Sequence, residues 1–199
     1  MTVTVSQSVQ TVSVVSAEST VTVQPTTYSV TVTSPGPQGA TGSVAPRYYG
    51  AFQDLTTQTI ASTTAAYAMT LDTTDYADGF SRGAPTSRIV AANTGTYNIQ
   101  WSGQFSNTNN QDQDVTVWLR VNGTDVAGSA GYVSIPSSHG GVPGHVIAGW
   151  NYILPLTAGD YFEFVWHSSS TAVTLKFYAA GTSPTRPSTA SLIVTVVPV

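Results

Sequence analysis

The chain has 199 residues, of which 41% are apolar and only 8% charged, and its net charge is −4. An ordinary soluble domain is roughly 25% charged, so this chain has room for one good core but an unusually uncharged exterior. Its six basic residues, Arg47, Arg82, Arg88, Arg120, Lys176 and Arg186, are scattered; this argues against nucleic acid as a partner, and no run reaches the roughly 20 apolar residues that insertion in a membrane requires.

The first element is a repeat. Thr2-Val3-Thr4-Val5 recurs as Thr11-Val12-Ser13-Val14, Thr20-Val21-Thr22-Val23 and Ser29-Val30-Thr31-Val32, always at a nine-residue step. Each block alternates apolar and polar residues, as a short half-buried strand does. Turn formers such as Ser6, Ser16, Pro25 and Ser34 separate the blocks. A four-residue strand cannot bury its own face, so such repeats stack on each other or on another chain. Residues 1–35 are thus expected to form a β anchor or stalk, with Val3, Val5, Val12, Val14, Val21, Val23, Val30 and Val32 as its apolar contacts. The segment MTVTVSQSVQ has neither a basic residue nor a continuous apolar run, and does not read as a secretory signal. There are no cysteines, so no disulfide framework supports the fold.

Residues 36–46 change character. Gly36, Gly39 and Gly42 fall at every third position, with Pro37 after the first. That is the spacing needed where three polyproline-like chains meet at a crowded axis. Two triplets cannot hold a collagen helix alone, and a plain Gly/Pro linker fits the same residues. Both readings place a domain boundary here.

Residues 47–199 read as strands and turns throughout. Tyr97 to Phe105 alternates strictly. Val115, Val117, Leu119 and Val121 share one face and run into Asn122-Gly123, a strong hairpin signal. His145 to Leu156 places Ala148, Trp150, Tyr152 and Leu154 in phase. Ala158-Gly159-Asp160 is a turn, and Tyr161 to His167 puts Phe162, Phe164 and Trp166 on one face. Val173, Leu175 and Phe177 form another face, and Leu192 to Val197 closes the chain. Weaker strands are expected near Tyr48–Gln53, Tyr67–Leu71 and Arg88–Ala92. About eight to ten short strands with no helical period imply an antiparallel β-sandwich or jelly roll.

Gly95-Thr96-Tyr97 leading into a long strand, then Leu154-Pro155-Leu156 and Ala158-Gly159-Asp160-Tyr161-Phe162, then an apolar terminal strand, resembles the trimeric jelly-roll heads of complement-type and tumour-necrosis-factor-like proteins. Combined with the repeat and the Gly-X-Y triplets, the chain is similar to bacteriophage short fibres and capsid decoration proteins. The absence of cysteines, the short triplet run and the nine-residue repeat favour the phage version. The resemblance implies a homotrimer, located on the virion, whose N-terminal repeats dock on capsid or tail proteins. It implies a decoration or head-fibre protein, or alternatively a receptor-binding tip of a tail fibre or bacterial adhesin that attaches to a host-surface glycan.

Candidate chemistry is sparse. His139 and His145 flank a Gly-rich stretch with no nearby acid, which is not a zinc pattern. With one His per chain near a three-fold axis, an ion or anion would be the expected ligand; a hydrogen-bonded loop His is the simpler reading. Asp72, Asp75 and Asp78 read as a solvated acidic loop that lacks EF-hand spacing, with Ca²⁺ as the alternative. Residues 107–114 form an amide-rich tip expected to be solvated. No nucleophile elbow, phosphate loop or cysteine is present, so no enzyme activity and no cofactor are expected. Trp118 and Tyr178 fall out of phase with their strands' apolar faces. They are expected to face outward, as trimer-interface or glycan-binding aromatics.

Overall fold

The computed structural model describes residues 47–199, in which every regular element is a β-strand. The repeat, with its valines, and the Gly36, Gly39 and Gly42 triplets lie outside the described residues.

Strand β1 (Tyr49–Asp54) alternates, with Gly50, Phe52 and Asp54 inward. Two residue pairs follow, β2 (Gln58–Thr59) and β3 (Tyr67–Ala68), then β4 (Thr73–Asp78), β5 (Phe80–Arg82) and β6 (Ile89–Ala91). Strand β7 (Gly95–Asn107) is long because Tyr97, Ile99, Trp101 and Phe105 keep one phase over its whole length. Gly103 keeps that phase without a side chain, since a Cβ there would meet Leu175 at 2.9 Å. Strand β8 (Gln113–Val121) turns through Asn122-Gly123, at φ 48° and 80°, into β9 (Thr124–Asp125), as the hairpin signal predicts. Then come β10 (Gly131–Ile135), β11 (Gly144–Leu156), β12 (Tyr161–Ser168) and β13 (Val173–Leu175). The chain ends with the small β14 (Gly181–Thr182) and β15 (Thr185–Arg186) pair and with β16 (Leu192–Pro198).

The strands form two antiparallel sheets. In the first, β11 pairs with β7, β7 with β16 and β13, β16 with β1, and β1 with β4. In the second, the order is β10, β8, β12, β6, β5. The chain crosses between sheets after β2, β3, β4, β6, β7, β10, β11 and β12, which is jelly-roll connectivity. The core is the layer between them. Trp101 meets Phe164 and Phe105 meets Trp166, both at 5.8 Å between ring centroids, while Phe80 packs edge-on to Tyr97 at 4.9 Å. Each such buried aromatic stabilises the fold by on the order of 2–3 kcal/mol through area alone.

Several sequence expectations need correction. The stretch Leu71–Gly79 is not a loop: Asp75 and Asp78 lie in β4, an edge strand, where Asp75 accepts from Gln53 Nε2 at 2.7 Å. Its Thr/Asp composition hides it, because edge strands bury little. Asn107, expected to be solvated, is fully buried: its Nδ2 donates to the carbonyls of Gln111, Ile135 and Pro136, which fixes the turn after β7. Residues 67–71 keep only a two-residue ladder, and β13 ends at Leu175, leaving Phe177 outside it. Trp150 shares the phase of Tyr152 and Leu154 but is 55% exposed.

Candidate functional site

The exposed apolar surface follows from where β11 sits. It pairs with β7 over all 13 of its residues, and among the described residues nothing pairs with its other edge. Among the described residues, strand β10 likewise pairs only with β8. The same side of the sandwich is therefore open in both sheets. Trp150 and Tyr132, 55% and 77% exposed, stand at this open side. The Trp150 ring lies against the β10 backbone, since a Cβ on Gly131 would meet it at 2.9 Å.

The outer face of the first sheet continues this surface. Register places Ile147 beside Gln104, Ile153 beside Asn98, and Ile193 and Val197 beside Ser102 and Asn98. All four aliphatic side chains are exposed, Ile147 by 73%. Asn98 sits between Ile153 and Val197, and its Oδ1 is buried with no hydrogen-bond partner among the described residues. An acceptor left that way costs about 1–3 kcal/mol. From Asn98 to Gln104, and on the facing stretches of β11 and β16, no side chain of this face carries a charge. The face thus has the composition of an interface core, apolar with amides and without charge.

These residues escaped the sequence reading, although a signal was present. In His145–Leu156 and Leu192–Val197, apolar residues occupy both phases, which a one-sided strand would not need.

The predicted aromatics lie elsewhere. Trp118 is out of phase with the buried Val117 and Leu119, as expected, but it is half-buried on the second sheet's outer face beside Val165. Its buried indole nitrogen faces Asp125 without reaching hydrogen-bond geometry. Below it, Arg120 bonds Asp125 at 2.7 Å and approaches the buried Glu163 at 3.7 Å, while Ser87 donates to Glu163 at 2.7 Å. Arg120 holds the Asp125 carboxyl below its ordinary range. Tyr178 is also half-buried, and its hydroxyl lies 3.4 Å from the His145 ring nitrogens. The structure thus separates Trp118, in β8 of the second sheet, from Tyr178, in the segment that follows β13 of the first.

The histidines do not converge. His139 forms a tight bridge with Val142 around Gly140 and Gly141, His145 is exposed on β11, and the His167 ring bonds the carbonyl of Thr63 at 2.6 Å. Asp72 accepts from the Leu55 amide at 3.1 Å and from Thr73 Oγ1 at 2.7 Å. Among the described residues no group of three or more His, Asp or Glu is placed to hold a metal ion.

No family model matches this sequence, and no curated protein does. Among solved structures, the chain is similar to the crystal structure of murine APRIL, with 8% identity and a TM-score of 0.47, over 77% of this chain and all of that one. At this identity the likeness concerns the fold alone; the jelly-roll assignment rests on the strand order above.

Proposed function

We propose that this chain is a virion structural protein of a bacteriophage, a homotrimeric capsid decoration or head-fibre protein that displays its jelly-roll head and performs no catalysis. The observation that carries this reading is the uncharged outer face of the first sheet, flanked by the open edge of β11. A surface of exposed aliphatic side chains with a 13-residue edge that is unpaired among the described residues is an aggregation hazard unless a copy of the chain covers it. A second copy suits this face because both sides of the contact are then apolar and uncharged. The Gly-X-Y spacing of Gly36, Gly39 and Gly42 supports three copies, since only a three-chain axis needs that period. The nine-residue repeat supports the anchoring role, through strands that complete themselves on a shell or tail protein.

Copy number on the particle tests the reading. Hundreds of copies, in multiples of three, support a decoration protein. About a dozen at the tail support the receptor-binding tip instead, and absence from purified particles would overturn both.

A further inference from the structure

A cleft of about 510 Å³ opens at one end of the first sheet's outer face, beyond the apolar patch. Its floor is Ser106 of β7, only 2% exposed. Thr108, Thr171 and Thr174 add three more hydroxyls to the walls. His145 and Tyr178 close one side, and Lys176 stands with its Nζ 5.6 Å from the Tyr178 ring centre. Lys176 is the sole lysine of an acidic chain, and no Asp or Glu lines the cleft with it. Among the described residues, both ion pairs belong to Arg120, so Nζ has no carboxylate partner within 4.0 Å.

The segment carrying Lys176 and Tyr178 is fixed although β13 has ended. The Lys176 amide donates to the Gln104 carbonyl, and the Gln104 side chain donates back to the Lys176 carbonyl, both at 2.7 Å. The Tyr178 amide donates to Thr189 Oγ1 and the Thr189 amide to the Tyr178 carbonyl, both at 2.9 Å. These four bonds preorganise the wall, which lowers the ordering cost of binding.

We propose that this cleft binds a carboxylate-bearing sugar, a uronic or sialic acid residue of a surface polysaccharide. The ammonium of Lys176 meets the carboxylate, and the His145 ring, 5.7 Å from the same Tyr178 ring, completes the lining. The Tyr178 ring offers a pyranose an apolar platform. Thr108 Oγ1 already donates to the Ala172 carbonyl at 3.2 Å and so offers an acceptor, while the hydroxyls of Ser106, Thr171 and Thr174 donate and accept, as a polyol requires. A neutral sugar would leave the one cation unpaired. A free phosphate would find no arginine fork here, and the volume lies in the range of small-molecule sites, about 300–1,000 Å³. Every wall belongs to one chain, so the proposal goes beyond the display role; it rests on that reading only in requiring this end of the face, past Ile147, to stay uncovered when copies associate.

Saturation-transfer NMR on the full chain tests it, with N-acetylneuraminic acid, glucuronic acid and glucose as observed probes and inorganic phosphate, which carries no observable protons, added as a competitor, and with the particle mass of each sample measured alongside. At least one acidic sugar is expected to bind with a Kd on the order of 1 mM. Glucose and phosphate should bind about tenfold more weakly or not at all. Lys176→Ala should lose about tenfold in affinity while Lys176→Arg keeps it, both with an unchanged unfolding midpoint. The proposal is overturned if neither acid binds by about 10 mM, if phosphate or glucose binds as tightly, or if Lys176→Ala binds like the parent. A wrong mass with intact sugar binding would count against the trimer and not against the cleft.

Discussion

Trp101 and Trp150 are register partners across β7 and β11, on the same side of one sheet, yet Trp101 is 5% exposed and Trp150 55%. The difference marks where the second sheet stops. Trp101 lies under Phe164, whereas Trp150 reaches past the core to lean on Gly131 at the open edge. An indole left this exposed in a monomer becomes an anchor when a copy packs against the edge.

Trp150→Ala should therefore weaken self-association more than it weakens the fold. A central aromatic anchor is typically worth about 2 kcal/mol or more of binding. Sedimentation at several concentrations should show Trp150→Ala dissociating at roughly 30-fold higher concentration than the parent. Equal dissociation would remove this edge from the interface.

Ile147→Asp and Ile153→Asp test the sheet face. Both side chains point away from the core, so an isolated head should tolerate the change within about 0.5 kcal/mol. Burying an unpaired carboxylate between copies would cost several kcal/mol. Each variant is expected to fold with a native-like β circular dichroism spectrum and to run as a single chain. Assembly at parent strength would count against the face.

Asn107 predicts a stability effect. Its amide nitrogen reaches three carbonyls, and its oxygen accepts from the Asn109 amide at 2.8 Å. Asn107→Ala strands those buried groups and should cost about 1–3 kcal/mol in urea denaturation. Asn107→Asp should cost at least as much, because a carboxylate has no donor for the carbonyls.

Asp160 predicts an acid-side dependence. Its carboxylate accepts from the Thr157 amide at 2.6 Å and from Asn122 Nδ2 at 2.7 Å. The Thr157 bond first, and Asn122 second, hold its pKa below the ordinary value. Asp125 is lowered too, chiefly by Arg120. Groups with depressed folded-state pKa values contribute stability that is fully present above the unfolded value. That contribution is lost as pH falls through the folded one. The unfolding midpoint should therefore be flat near neutral pH and drop below about pH 4. Asp160→Asn should lower the neutral plateau, since an amide oxygen alone cannot serve both donors equally, and should flatten the acid limb. An unchanged acid limb would assign the loss to other groups.

Strong periodicity made the central strands legible. Tyr97 to Phe105 and Val115 to Val121 alternate because one face of each is core, Tyr161 to His167 puts Phe162, Phe164 and Trp166 on one face although Glu163 and Val165 are buried on the other, and the hairpin at Asn122-Gly123 follows from two positive φ angles. Strand β4 was not legible, because an edge strand of Thr and Asp buries almost nothing that a pattern can record. Strand β10 was missed because Tyr132 and Ser134 are exposed and Ile135 alone is fully buried. For the surface, the repeat and the resemblance carried the idea of self-association, but outward phase alone selected Trp118 and Tyr178. Phase does not reveal that Trp118 is half-covered by its own sheet, or that Trp150 extends beyond the opposite one. Those facts depend on where a neighbouring sheet ends, which is a property of the assembled sandwich.

The most direct test of the central claim is the absolute mass of the full chain in solution, measured by light scattering across a concentration series. A single species three times the 20.8 kDa chain mass, persisting on dilution, is the result expected for a trimeric display protein. A mass of one chain at every concentration would contradict it.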